Sequence, residues 1–198
     1  MKWKAAFFTL VLALLLGTPV IQAQTDQWEI DQDHAAIYFD VRHTFVTVRG
    51  LFDDFSGTVV FDPANFEDAR FDFTVNVASI NTNITRRDDH LRSADFFETR
   101  RFPRMTFVTT DVQHVQGDEY ALEGDLTIKD VTKRITVPLT YFGMQENPLK
   151  QGQMVAGIEI EFMVDRLEYN VGTGQFFEMG VVEKEVRVLV ALEVLKEK

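Results

Sequence analysis

Along most of this chain apolar and polar residues alternate one by one, the period of a strand with one dry and one wet face. Ile37, Phe39 and Val41 alternate with Tyr38, Asp40 and Arg42. The clearest run sets Phe71, Phe73, Val75 and Val77 against Asp72, Thr74 and Asn76. Leu122, Leu126 and Ile128 share a face with Gly124, and Ile135, Val137, Leu139 and Tyr141 make another. Met154, Ala156, Ile158, Ile160, Phe162 and Val164 form a long even-numbered face opposed by Glu159 and Glu161. Val186, Val188, Val190, Leu192 and Val194 give the last strand. Between Met105 and Val115 the apolar parity shifts from Phe107 to Val112, which predicts a bulge. Pro138 removes one ladder donor and predicts an edge or bulge at that point. Asp62-Pro63, Gly117-Asp118 and Lys129 to Lys133 read as turns, Gly50 as a bend, and Asn170 to Gly174 as a glycine-bearing loop.

One stretch breaks the two-residue period. Leu91, Ala94 and Phe97 recur at helical spacing and predict a helix over about residues 86–97. Thr85 is its expected N-cap, with Asp88 three residues on, close to a capping box. Asp88 and Asp89 suit the positive end of the helix dipole, and Pro103 forbids continuation. Arg86, Arg87, Asp88 and Asp89 together read as a solvated helix start, with phosphate binding by the two arginines as the second option.

These elements predict an all-β fold, a roughly eight-stranded antiparallel barrel with one inserted helix. Closing the strands on themselves removes exposed edges. It leaves an interior that side chains can fill or that can hold one small ligand. A two-layer sandwich shares the alternation; the strand lengths and the lone helix favour the barrel.

The first residues change the picture of where the fold begins. Lys2 and Lys4 precede an apolar run from Ala5 to Leu16, which Gly17 and Pro19 break, and Ile21-Gln-Ala23 offers a small residue before a cut. This is the pattern of a signal peptide over 1–23, cleaved after Ala23, leaving one domain over 24–198 in the periplasm or secreted. No later stretch is apolar enough to cross a membrane. The formal net charge is −11, and loss of Lys2 and Lys4 makes it −13. An acid-rich surface argues against nucleic acid or an anionic membrane surface as partner. With no cysteine in the chain, disulfides, thiolate catalysis, cysteine metal ligands and lipoprotein acylation are excluded.

Candidate chemistry is sparse. The chain has no Gly-x-Ser-x-Gly elbow, no His-Glu-x-x-His and no phosphate loop. Ser56, Ser79 and Ser93 have no evident base, and His34, His43, His90 and His114 lack a tight metal-ligand spacing. No catalytic residue, metal site or cofactor is predicted.

Four segments carry a family likeness: Trp28-Glu-Ile-Asp-Gln-Asp-His34, Arg86 to Phe97, Phe102-Pro103 with Phe107 close behind, and Gly124-Asp-Leu-Thr-Ile-Lys-Asp-Val-Thr-Lys133. In this order they resemble the YceI-like family over essentially the whole mature chain. The resemblance implies a periplasmic or secreted, lipocalin-like barrel enclosing a polyisoprenoid or other amphipathic lipid. The chain departs from the family pattern at Ala35, where Ser is usual, and at Asp130, where Gly is usual and where Asp tolerates a left-handed turn. It departs again at Arg166-Leu-Glu-Tyr-Asn170, where the family has Arg-x-Asp-Phe-Gly.

On that reading the lipid-binding candidates are the inward residues Phe39, Phe73, Val75, Leu91, Phe97, Phe107, Leu126, Val137, Ile158, Ile160, Phe162 and Val190. His90 and Arg166 are candidate head-group contacts, His90 being equally suited to bonding a neighbouring acid and holding the helix in place. The alternative for the inward set is a solid core. The alternatives for function are an enzyme acting on an isoprenoid or small envelope metabolite, and a solid-core interaction protein, with a homodimer through an outer face in view.

Overall fold

The structure, a computed structural model, describes residues 27–198. The expected signal peptide and its cut lie outside the described residues. Eleven strands run β1 (Gln27–Ile30), β2 (Ala36–His43), β3 (Val46–Phe52), β4 (Phe55–Asp62), β5 (Asn65–Asn76), β6 (Ile80–Asn81), β7 (Arg104–Gln116), β8 (Glu119–Ile128), β9 (Val131–Glu146), β10 (Gln153–Asp165) and β11 (Val182–Glu197). Helix α1 (Thr85–Arg92) lies between β6 and β7, and α2 (Gln175–Glu178) between β10 and β11.

These strands fill eight positions of a closed antiparallel barrel. One edge of β11 pairs with β10; its other edge pairs with β2 along its first half and with β1 near its end. Segments β1 and β2 thus act as one interrupted stave. So do β3 and β4, which pair with β2 and β1, and β6 and β5, which pair with β3 and β4. From β5 the ring continues through β7, β8 and β9 to β10. The predicted bulge appears in β7 as register shifts between Thr109 and Asp111 and between His114 and Gln116. Pro138 sits one residue beyond the last β9–β10 pair, Leu139 with Ile160, where β9 loses its second neighbour.

The base of the barrel is solid. Trp28 and Phe61 stack at 4.8 Å, Phe61 packs on Phe66, Phe71 and Tyr141, and Phe66 stacks on Tyr120 at 4.2 Å. The indole N–H of Trp28 donates to Phe61 O at 3.1 Å, so this buried ring has its polar group satisfied.

Five local expectations are corrected. Helix α1 stops at Arg92, so Ala94 and Phe97 lie beyond it in a series of turns, long before Pro103. Thr85 is the first helical residue; Ile84 is the N-cap and supplies no side-chain bond. The helix start is also not simply solvated. Asp88 is buried and accepts from Thr82 N–H at 2.9 Å and from the Thr82 hydroxyl, while Arg87 donates to Thr82 Oγ1 and O. Lys129 (φ +56°), not Asp130, takes the left-handed position of the β8–β9 turn. Gly50 lies inside β3 rather than at a bend; a Cβ there would stand 2.3 Å from the ring of Phe39.

Candidate functional site: an apolar chamber under a helical cap

Above the aromatic base the barrel is hollow. The cavity volume is about 180 Å³, within about 1240 Å³ of free space that takes in its open mouth, and no polar atom is exposed on its wall. The boundary between solid and hollow falls at one level on successive strands. On β5 it lies between Phe71 and Phe73, on β9 between Leu139 and Val137, on β10 between Ile158 and Ile160, and on β11 between Leu192 and Val190. The register makes this a true layer, because Ile158 pairs with Leu192 and Ile160 with Val190.

Eleven of the twelve inward candidates line this cavity. Phe39 and Val190 face in from β2 and β11, Phe73 and Val75 from β5, Phe107 from β7, and Leu126 from β8. Val137 faces in from β9 and Ile160 and Phe162 from β10, while Leu91 and Phe97 come down from the cap. Ile158 is the exception: 2% exposed, it packs in the layer beneath the floor. The lining also includes Ile37, Val164, Val186 and Val188, which share parity with chosen neighbours and were open to the same pattern argument. Phe52 and Phe96 lie beside breaks in the strands or beyond the helix, where no period marks them.

The cap is held by cations that satisfy main-chain carbonyls. Arg166, 6% exposed, follows β10. Its Nε, Nη1 and Nη2 donate to the carbonyls of Glu183, Val171 and Val182 at 2.8, 2.7 and 3.0 Å. Burial pulls its pKa below the ordinary arginine value. Lys129 Nζ bridges Phe96 O at 3.0 Å and Asn170 O at 2.8 Å. Arg92 ties α1 to the carbonyls of Ala78 and Ile80. Phe96 stacks on Phe176 at 5.4 Å, joining the turns after α1 to α2.

Of the two head-group candidates, Arg166 reaches the cavity wall but turns its nitrogens into the loop over 171–183. His90 lies outside the cavity. It pairs with Asp95 at 2.9 Å and stands edge-on to Phe96 and Phe176. Away from the cavity, Asp31, His34 and Glu193 bring potential ligand atoms within 4.8 Å of one another, a proximity that sequence spacing did not reveal.

Fold and cavity together define a class: an eight-stranded antiparallel barrel, solid at its base and hollow under a cap. The model of the YceI-like domain matches residues 28–194. Protein YceI of Escherichia coli O6:H1 is 35% identical over 174 residues, covering 86% of this chain and 87% of that one. The crystal structure of BcnA from Burkholderia cenocepacia superposes with a TM-score of 0.73 at 25% identity, covering 85% of this chain and 99% of that chain. A polyisoprenoid binding domain from Saccharophagus degradans, implicated in plant cell wall breakdown, shares the fold with a TM-score of 0.63 at 17% identity, over 86% of this chain and 98% of its own. This chain belongs to the YceI-like family.

Proposed function

We propose that this protein binds the hydrocarbon chain of a polyisoprenoid or similar amphipathic lipid inside its barrel, for storage or transport in the periplasm or outside the cell. One observation carries the reading: an open-mouthed cavity on whose wall no polar atom is exposed. Such a wall gives water no hydrogen-bonding partner, so an apolar guest is the favoured occupant. Each CH₂ group moved from water into the cavity contributes about 0.8 kcal/mol, and a long chain needs no polar contact to be held. A related fold described as binding polyisoprenoid adds support. The polar head then stays at the mouth, with His90 and, after a side-chain rearrangement, Arg166 as its nearest candidates. Tyr38, Thr106 and Arg166 are the polar members of the lining and expose no polar atom to the cavity, which favours a binding protein over an enzyme.

Organic extraction of the protein purified from its native compartment, followed by mass spectrometry, should release a lipid in near-stoichiometric amount. Protein that yields no lipid and takes up no added polyprenol would overturn the reading.

A further inference from the structure

The capped end of the barrel carries a rim of exposed apolar side chains. Phe45, at the tip of the β2–β3 hairpin, is 87% exposed, and Val46 beside it is exposed too. Thr44 N–H donates to Val181 O at 2.9 Å, which sets this tip next to α2, where Phe177 and the 55%-exposed Met179 stand in solvent. From α2 the rim continues through Phe176 and His90 to exposed Ile84, which shares a shallow depression with Arg86 and Arg87.

Two features indicate what covers this rim. The first is continuity with the cavity. Val41 and Val182 carry the apolar lining to within a few residues of Phe45. A long hydrocarbon entering there through water would lose about 0.8 kcal/mol for every CH₂ exposed on the way, so the mouth must meet another apolar phase. The second is charge. In a chain of net charge −11, residues 84–104 hold six arginines against four acids. Arg86 is exposed and forms no ion pair with any described residue, and Arg42 holds its guanidinium against the Phe45 carbonyl at 3.0 Å. Exposed Glu178 and Glu183 stand on the α2 side of this end, so the part of the rim suited to phosphate groups is the side formed by Arg42 and the segment around Arg86.

We propose that the rim docks on an anionic lipid bilayer, with Phe45, Phe177 and Met179 among the acyl chains and Arg42 and Arg86 at the lipid phosphates. The inference rests on the lipid-binding reading above and adds where the cargo enters and leaves. Aromatic and basic side chains combined at one edge are the composition of an interfacial anchor. Over the whole chain the acid excess argues against an anionic membrane, but exposed Asp62, Glu67, Asp68, Asp118 and Glu119 place that excess beside the base, which is repelled while the rim faces the membrane.

The test floats the full protein with vesicles of phosphatidylethanolamine and phosphatidylglycerol, in parallel with vesicles of phosphatidylcholine alone. Preferential, salt-sensitive binding to the phosphatidylglycerol vesicles is expected. The Arg86→Glu variant, and separately Phe45→Ser with Met179→Ser, should each weaken partitioning about tenfold. None of these side chains lines the cavity, so thermal unfolding and polyprenol uptake from detergent solution should stay as in the unmodified protein. Absence of vesicle binding, or binding that these variants leave unchanged, overturns the docking proposal while polyprenol uptake still supports the cavity's role. A rim that instead holds two copies of the chain together would show as a dimer split by Phe45→Ser with Met179→Ser, and would overturn it as well. Failure of polyprenol uptake alone would sink the lipid-binding reading beneath it.

Discussion

Gly124 on β8 leaves room for the ring of Phe107 on β7: a Cβ at position 124 would lie 2.3 Å from Phe107 Cζ. The two strands pair Thr109 with Gly124 and Phe107 with Leu126, so the ring leans along the sheet over the glycine. That lean keeps Phe107 in the cavity wall instead of across the chamber.

Gly124→Ala should therefore drive the ring inward. The expected stability loss is about 1–3 kcal/mol for overpacking. Uptake of polyprenol should fall by more than this loss of stability explains, because the displaced ring takes cavity volume. Urea unfolding and uptake measured on the same samples separate the two effects. Unchanged uptake at unchanged stability would show that the wall yields freely at Phe107.

Asp88→Ala should loosen the cap at its root. Thr82 is 3% exposed, and its N–H has Asp88 as its partner at 2.9 Å. Leaving that buried donor unsatisfied costs about 1–3 kcal/mol. Chemical denaturation gives the number, and faster amide exchange across residues 80–92 would localise it. A variant as stable as the unmodified protein would mean that solvent replaces the carboxylate.

Arg166→Met should free the segment that closes the cap above the cavity. It removes three charge-assisted bonds to the carbonyls of Val171, Val182 and Glu183. A loss of about 2–4 kcal/mol is expected, with increased hydrogen exchange across 171–183. Gly172→Ala probes the same contact from the other side. Gly172 has φ +85°, and a Cβ there would stand 2.4 Å from Arg166 Nη1. If Arg166 is instead a head-group contact first, Arg166→Met would reduce lipid binding with little change in exchange.

The His34–Asp31 pair predicts a pH dependence. His34 Nδ1 lies 2.9 Å from Asp31 Oδ2, and that hydrogen bond raises the imidazole pKa above its ordinary 6.5 while holding Asp31 below its ordinary 3.8. The histidine's contribution to stability is complete below 6.5 and is lost as pH rises through the raised folded value. The aspartate's contribution is complete above 3.8 and is lost as pH falls through the lowered folded value. The pair thus helps most between those limits, and salt should weaken it because His34 is exposed. In an NMR titration, Asp31→Asn should bring the His34 midpoint back toward 6.5. A midpoint that does not move would remove Asp31 as the cause.

The sequence by itself determined the strands, their inward faces and the all-β class. Alternation is a local property: each residue's side follows from its neighbour's, so Phe73 and Val75, or Ile160 and Phe162, could be assigned inward without knowing what they meet. The bulge in β7 was legible for the same reason, since one extra residue reverses every later side. Helix α1 was legible as a helix but not in its length, because Leu91 and Phe97 share a destination in the cavity without sharing a helix. Turns held by Thr99, Glu98 and Ser93 bring Phe97 there instead.

Only the tertiary structure decided how far the barrel is hollow. Ile158 and Ile160 are alike in type, parity and neighbours, yet one is core and the other is wall. The difference comes from what lies across the barrel. Phe61, Phe66, Phe71, Tyr120 and Tyr141 fill the base by stacking across it, whereas the rings one layer higher stand in the wall, Phe39 lying over Gly50 and Phe107 over Gly124. Whether a space is filled depends on the summed volumes of side chains from many strands, fixed by register across the ring, and no single stretch of sequence carries that sum.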